Sequence, residues 1–270
     1  MKITTIGLDI AKRFFHVVCC NEQGRLVKKK MLKRAQVLSF FQQHTTCLVA
    51  LEACATSHFW AREIRKCGHE IKLIPPQHVK AFLVGNKNDY NDALAISVAS
   101  KQHHIKSVCI KSVEQQDNQA QHKARELAVR QRTALCNQIR GLTAEYGIIL
   151  NQGVNTIRKS IPLILENENT GLSGAFKAVL KQLETQLSNL DSGIETYSTL
   201  IVETAKNNDI CQRIQTIPGF GPMVSSAYFN EVGNGSNYKR GRDVSASLGI
   251  VPRQHSSGGK DTLLGISKRG

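Results

Sequence analysis

The sequence has few acidic residues for its number of basic ones, and it lacks any long apolar run. Its 36 Lys and Arg residues outnumber 21 Asp and Glu residues, which gives a formal net charge of +15. Small-molecule enzymes rarely need this excess, whereas a nucleic-acid partner does, because each neutralised phosphate releases counterions and adds affinity. An anionic membrane surface is not favoured, since neither a membrane-length apolar segment nor a signal-like start is present. A merely basic, well-solvated surface is the remaining alternative.

Metal-binding cysteine patterns are also missing. The eight cysteines form no CxxC pair and no regular zinc spacing with histidine. They are Cys19, Cys20, Cys47, Cys54, Cys67, Cys109, Cys136 and Cys211. We expect reduced, mostly buried thiols in a cytosolic protein, because free cysteine behaves as a small hydrophobe.

The first 110 residues alternate between β-rich and helical patterns. The predicted strands lie in Thr4–Cys20, which holds two, and in Arg25–Met31, Thr46–Leu51 and Glu70–Ile74. The predicted helices are Gln36–His44 and Ser57–Cys67. This order predicts an α/β domain with a mixed sheet over residues 1–110.

Residues 111–210 predict a long helical arm. One helix face is assigned to Ala120, Ala124, Leu127, Leu135, Ile139, Leu142 and Tyr146. A second helix repeats apolar residues in a four-three alternation at Phe176, Leu180, Leu183, Leu187, Leu190, Ile194, Tyr197 and Ile201. The intervening Asn151–Asn169 is less regular and is interpreted as a turn. The pattern favours an antiparallel, coiled-coil-like arm or a dimer contact, with ordinary bundle packing as the alternative.

The last segment, residues 211–270, is predicted to be a small, mostly helical domain rich in Gly, Ser, Lys and Arg. Gly219 and Gly221 open a helix in the run IPGFGP, and free backbone N–H groups there can hold a phosphate, as in a helix-hairpin-helix element. A structural turn is the alternative. The other predicted nucleic-acid contacts are Lys239, Arg240, Arg242, Arg253, Lys260 and Lys268.

Four carboxylates in the first domain are candidate metal ligands. Asp9 and Glu52 end apolar strand patterns, and Asp89 and Asp92 are three residues apart in KNDYNDA, hence neighbours on a helix. Such acids are costly to bury unless they are solvated, paired or bound to metal. Hard oxygen ligands suit Mg²⁺ or Mn²⁺, and two such ions about 4 Å apart assist phosphodiester cleavage. For any one acid alone, a helix cap or a surface ion pair is the alternative.

A pair of serines, Ser256 and Ser257, precedes two glycines near the end of the sequence. On composition alone this stretch is a flexible loop. A serine can still be a nucleophile where cations stabilise its alkoxide and glycine allows close approach. The nearby candidates for that role are Arg253, His255, Lys260 and Lys268.

These motifs resemble the RuvC-like branch of the ribonuclease H fold. More specifically, they resemble the DEDD transposases of bacterial insertion sequences, relatives of the Piv-type DNA invertases. The resemblance covers nearly the whole chain, and it is also close around the Ser-Ser-Gly-Gly segment. Its clearest blocks in the first domain are LEAC at 51–54, HFWAR at 58–62, LIPPQ at 73–77 and GNKNDYNDA at 85–93. Members often have glycine where this chain has Ala55, a change too small to disturb a metal site.

The resemblance implies an active site and a reaction. Asp9, Glu52, Asp89 and Asp92 match the family's D, E, D and D and would bind Mg²⁺ or Mn²⁺. Ser257 matches the nucleophile that joins a DNA phosphate, with Ser256 ranked second. The implied protein is a serine recombinase guided by a structured RNA, a bridge recombinase of the bacterial cytoplasm and nucleoid. It would act on DNA as a homo-oligomer, a dimer or tetramer, in which acids of one subunit meet the serine of another.

Two other functions stay open at this point. One is a metal-dependent, junction-resolvase-like endonuclease that uses the acids and water alone. The other is a non-catalytic, nucleic-acid-binding remnant, because relatives usually continue past the SKRG block at 267–270 and this copy is expected to be truncated. His58 is expected either to pair within the sheet–helix packing or to approach the active site. Trp60 is expected to lie in the core rather than to form a base-stacking platform.

Overall fold

The computed structural model describes residues 2–86 and 88–268 and divides the chain into two compact units, 1–112 and 113–270. None of the described helices is both long and apolar enough to cross a membrane. The finer division at residues 110 and 210 stays a prediction. Each unit is described separately below.

The first unit is built on a five-stranded mixed sheet. Its elements are β1 (Thr5–Ile10), β2 (Phe14–Cys20), β3 (Leu26–Lys33), α1 (Val37–Gln42), β4 (Leu48–Glu52), α2 (Ser57–Lys66), β5 (Glu70–Ile74), α3 (Pro76–Lys80) and α4 (Asp89–Ser100). The sheet order is β3-β2-β1-β4-β5. The β1–β2 and β2–β3 pairs are antiparallel, and β4 lies parallel between β1 and β5. The α/β prediction and its strands are therefore confirmed.

Both faces of this sheet are packed, because the strand residues alternate between them. On one face α1 and α2 cover β1, β2 and β4, and Phe15, Phe41 and Ile64 are fully buried there. On the other face α4 packs on β1, β2 and β4 through Ala93 and Ile96. Strands buried on two faces read as continuous apolar runs, which is why TIGLDI and LVALE stand out in the sequence.

The second unit is mostly helical. Its elements are α5 (Val113–Ala144), α6 (Val154–Glu166), α7 (Gly174–Lys206), α8 (Asp209–Gln215), α9 (Pro222–Val232), α10 (Gly241–Ser247), β6 (Pro252–Ser257) and β7 (Lys260–Ile266). Helices α5 and α7 pack antiparallel, since Arg125 bonds to Ser198 and Arg132 to Asp191. The predicted α7 seam is confirmed, and it is buried within the chain against α5 and α6.

Two details of the predicted arm are wrong. Residues 151–169 are not simply a turn, because they contain α6, whose Ile157, Ile161 and Ile164 are buried. Of the residues assigned to one helix face, Leu127 in α5 is 51% exposed, and Tyr146 lies beyond the end of α5 and is 45% exposed. The α5 seam instead carries polar groups such as Asn118, which finds hydrogen-bond partners within the fold and is 1% exposed. A buried polar group is tolerated when it is hydrogen-bonded, and hydrophobic periodicity cannot detect it.

The predicted mostly helical C-terminal segment needs a correction as well. Residues 211–270 hold three short helices, but they end in the antiparallel β6–β7 hairpin, all of whose residues are exposed. The turn residues Gly258 and Gly259 have φ values of 58° and 78°. Two consecutive residues with positive φ suit a tight two-residue hairpin turn, for which glycine is favoured. The Ser-Ser-Gly-Gly stretch is therefore a hairpin tip, not a flexible loop.

Candidate active site

The four acidic residues come from three elements that meet at one edge of the sheet. Asp9 lies near the end of β1 and Glu52 ends β4, and these strands are parallel neighbours. Their carboxyl ends therefore lie side by side. Helix α4 begins at Asp89, and Asp92 is in its first turn.

Gly7 allows α4 to approach this edge closely. A Cβ on Gly7 would lie 2.0 Å from the Ala93 carbonyl oxygen and 2.9 Å from the Ser97 Cβ. No side chain fits there, so the backbone of β1 touches α4 directly. The result is that the start of α4 is held beside Asp9.

The start of α4 is fixed by its cap. Asn88 is extended, and its side chain accepts a hydrogen bond from the Tyr90 backbone N–H at 2.8 Å. Asp89 and Asp92 then occupy the first turn, where the helix dipole stabilises negative charge. Lys87, which precedes the cap in the KNDYNDA motif, lies outside the described residues.

Asp9, His16 and Asp89 form a compact group of potential ligands. One ligand atom from each lies within 4.8 Å of the others. His16 pairs with Asp9 across β1 and β2, and its Nδ1 lies 3.4 Å from Asp89 Oδ2. His16 is 9% exposed, and its Nδ1 has no hydrogen-bond partner within normal limits among the described residues.

The electrostatics place Glu52 and Asp92 in the same cluster. Burial, followed by the charges of Asp92 and Asp89, raises the pKa of Asp9 to about 6. Burial and then Asp92 also raise the pKa of Glu52, against an opposing effect of Lys80. The four acids that the sequence singles out therefore share one electrostatic environment.

This donor set fits a divalent cation. Carboxylate oxygens are ligands that Mg²⁺ and Mn²⁺ prefer, and an imidazole is tolerated by Mn²⁺. A cation would offset the burial and the repulsion by neighbouring acids that together raise the pKa of Asp9. The His16 Nδ1, which lies 3.4 Å from Asp89 Oδ2, belongs to the same group.

His16 was not among the residues that the sequence singled out. The signal that could have found it is the short Ala11–Arg13 connection, which fixes the hairpin register and sets His16 opposite Asp9. Lys80 at the end of α3 was missed for a different reason, because its effect on Glu52 depends on tertiary packing.

The other two residues discussed from the sequence, His58 and Trp60, both have contacts within the fold. The His58 Nδ1 accepts a hydrogen bond from the Lys111 backbone N–H at 3.2 Å. Trp60 is 4% exposed and packs edge-on against Phe15, so its assignment to the core is confirmed. Of the cysteines, Cys19, Cys20, Cys47, Cys136 and Cys211 are buried free thiols, whereas Cys54 is exposed.

The two serines of the second unit have different surroundings. Ser256 donates to Asp261 Oδ1 at 2.5 Å, and hydrogen bonds from Ser256 and Gln254 lower the pKa of Asp261. Ser257 lies at the tip of the hairpin opposite Lys260, exposed, and its side chain has no hydrogen bond among the described residues. The Ser257 hydroxyl is thus the freer of the two.

The glycine-containing turn joins α8 to α9. Gly219 has a φ of 87°, and Gly221 directly precedes the first residue of α9, Pro222. Helices α8 and α9 pack on each other around the buried Cys211 and Phe229, so this unit is a pair of helices joined by the glycine-containing turn. The six basic residues assigned to nucleic acid are all exposed: Lys239, Arg240, Arg242, Arg253, Lys260 and Lys268. Arg269 and Gly270 lie outside the described residues.

Comparison with known proteins covers both units. Residues 6–148 match a DEDD transposase family of the IS110 type, described as "Transposase". Residues 211–270 match the family described as "Transposase IS116/IS110/IS902 family".

Individual relatives extend this match along the whole chain. The transposase for insertion sequence element IS1111A of Coxiella burnetii is 43% identical over 99% of this chain and 74% of its own length. A probable family 20 transposase of Pseudomonas aeruginosa is 40% identical over 100% of this chain and 80% of its own length. The transposase for insertion sequence element IS1328 of Yersinia enterocolitica is 37% identical, over 99% and 79%. The chain therefore belongs to the IS110/IS116 family of insertion-sequence transposases.

Proposed function

We propose that this chain cuts and rejoins DNA through a serine nucleophile, Ser257, assisted by a divalent-metal site at Asp9, Glu52, Asp89 and Asp92. The observation that carries the proposal is the convergence of these acids on one sheet edge, with the pKa of Asp9 raised to about 6. In this proposal the first unit has a RuvC-like ribonuclease H fold, supported by the strand order β3-β2-β1-β4-β5.

The acids and the serine have separate roles in the proposed reaction. Mg²⁺ or Mn²⁺, when held by the carboxylates, would supply charge that polarises the scissile phosphate. The Ser257 Oγ loses its proton and bonds to phosphorus, while the bond from phosphorus to one deoxyribose oxygen breaks and that oxygen gains a proton. Attack by the hydroxyl of another strand reverses this step, reseals the DNA and frees the serine. The phosphodiester energy is retained in the phosphoserine link, so no high-energy cofactor is needed.

The exposed basic residues would hold the nucleic acid. Lys260 pairs with Ser257 across the hairpin, and Arg253 lies further along β6; both can offset the phosphate charge. Gly219 and Gly221 would present backbone N–H groups to a second phosphate. The proposed partners are DNA, a structured guide RNA and further copies of the chain, at the nucleoid in the cytoplasm. The family resemblance supports the RNA partner, whereas the charge of +15 would fit DNA alone.

Replacing each serine separately tests this proposal. With junction DNA of the insertion sequence, its RNA and Mg²⁺, we expect Ser257→Ala to abolish protein–DNA adducts that survive denaturation. Ser256→Ala is the matched control and should keep them, because it removes only the hydrogen bonds of Ser256 with Asp261 and Gln254 and leaves Ser257 in place. Adducts that persist in Ser257→Ala would overturn the proposal. Strand cleavage without adducts in the unmodified protein would instead identify the hydrolytic, resolvase-like reaction.

A further inference from the structure

A strip of the first unit's sheet lies uncovered beside the acid cluster. It consists of Phe14 on β2 and of Lys29, Met31 and Lys33 on the edge strand β3, and we call it the β3 strip. In the strand register Met31 pairs with His16, and Lys33 pairs with Phe14. Since His16 also pairs with Asp9, Met31 lies two strands away from Asp9, about 10 Å at the usual strand spacing.

The β3 strip is on the same face of the sheet as the acids. Lys29 pairs with Val18, which packs against Ala93 of α4. The Lys29 Nζ lies 5.5 Å from the centre of the Tyr90 ring, next to Asp89 in the first turn of α4. Strand alternation then places Met31 and Lys33 on this face as well, further along β3.

The β3 strip combines positive charge with exposed apolar surface. Residues 25–36 contain six Lys or Arg residues and no acidic residue. Within residues 2–86 and 88–268, no carboxylate forms an ion pair with Lys29 or Lys33. Phe14 and Met31 are 40% and 52% exposed. Cations beside an aromatic and a thioether side chain match the phosphates and the bases of an unpaired strand.

We propose that the β3 strip binds a single-stranded segment of the DNA that enters the acid cluster. Lys29 and Lys33 are about 13 Å apart along the strand, which spans a few nucleotides, and they contact phosphates. Bases pack on Met31, which lies between the two lysines, and stack on Phe14, which pairs with Lys33 across the strands. A paired duplex would bury its bases and leave this apolar surface without a partner. The inference rests on the proposed DNA cleavage at the acids and adds the path of one strand.

Lysines on an edge strand have another known use, since they prevent pairing with a second sheet. That explanation treats both faces of β3 alike and gives no role to Phe14 and Met31. Lys28 and Lys30 point to the opposite face, where Lys30 lies over the Phe40 ring of α1 at 5.4 Å. The two lysine pairs therefore carry the same charge and lie on the same strand, but they point to different faces of the sheet.

The test compares these two pairs in DNA binding by fluorescence anisotropy. The full chain is titrated into a labelled single-stranded oligonucleotide of junction sequence in EDTA, where no cleavage occurs. We expect Lys29→Gln with Lys33→Gln to raise Kd about ten-fold at 0.1 M salt and to reduce the salt slope by about 1.4. Lys28→Gln with Lys30→Gln should change Kd less than two-fold. Phe14→Ala should raise Kd about five-fold, and Phe14→Tyr should restore it.

The possible contrary results are distinct. Equal weakening by both lysine pairs would mean bulk electrostatics and overturn the proposal. An effect of Phe14→Ala that is as large on duplex DNA would overturn the single-strand assignment. A response confined to RNA of the same sequence would assign the surface to RNA and overturn it too. Because the assay needs neither metal nor Ser257, its failure leaves the proposed cleavage reaction separately testable.

Discussion

Asp9 occupies a position that costs stability when no cation is bound. Burial and the neighbouring carboxylates of Asp92 and Asp89 raise its pKa to about 6 in the folded chain. In an unfolded chain the pKa of an Asp is about 3.9. The folded state therefore binds more protons between these two values, so the free energy of unfolding falls as the pH rises from about 4 to about 6.

Asp9→Asn removes the carboxylate charge that burial and the neighbouring acids disfavour. At pH 7.5 in EDTA we expect the free energy of unfolding to increase by about 1–2 kcal/mol, a value reduced from the full pKa shift for solvent screening. The difference in the free energy of unfolding between Asp9→Asn and the unmodified protein should vanish below pH 4, where Asp9 is protonated in both states. Urea unfolding followed by circular dichroism at both pH values checks this.

Asp191→Asn is the control for that measurement. Asp191 pairs with Arg132 and Arg158 in the second unit, so its replacement should lower stability. Equal stability of Asp9→Asn and the unmodified protein at pH 7.5 would show that burial and the neighbouring acids do not raise the pKa of Asp9.

Residues at strand ends could be predicted from the sequence, and those that depend on tertiary packing could not. The apolar runs place Asp9 and Glu52 at strand ends, whereas the parallel pairing of these two strands, which brings the acids together, is visible only in the fold. His16 sits in an apolar run without any special spacing. Its role depends on a strand register that composition does not specify.

At the scale of elements, the contact between β1 and α4 decides whether the site assembles. The two elements touch through the backbone at Gly7, and the acids lie on both sides of this contact. Any added side chain must move α4 and with it Asp89 and Asp92.

Gly7→Ala is therefore expected to be damaging. A Cβ at 2.0 Å from the Ala93 oxygen forces a backbone shift, and overpacking of this kind costs about 1–3 kcal/mol. DNA cleavage should fall at least ten-fold even at temperatures where the variant is folded. Gly141→Ala, whose Cβ would meet no atom within 4 Å, is the control; it should keep cleavage and raise stability by about 0.5–1 kcal/mol, because Ala favours the interior of α5 over Gly. Full cleavage by Gly7→Ala would mean that α4 need not lie this close.

The elements that sequence patterns missed have specific causes. Helix α6 contains Pro162, which removes a backbone donor, but the burial of Ile161 and its neighbours outweighs this loss. The β6–β7 hairpin buries none of its residues. Its alternation of apolar and polar residues is therefore weak, and the sequence pattern does not indicate two strands. Its glycine pair was nevertheless a turn signal.

Over the whole molecule, an excess of positive charge coexists with a local cluster of negative charge. The chain carries a net charge of +15, yet it gathers four carboxylates in one cluster. These carboxylates repel a DNA phosphate unless cations lie close by. In the proposed function these cations are a bound divalent ion and the lysines of the β3 strip, which would offset the charge of the acids as DNA enters.

The identity of the residue that becomes joined to DNA is the decisive observation for the proposed function. The adduct formed with junction DNA, its RNA and Mg²⁺ is denatured and digested, and the DNA-linked peptide is identified by mass spectrometry. We expect the link on Ser257. A link on Ser256 or on any other residue would rule out Ser257 as the nucleophile.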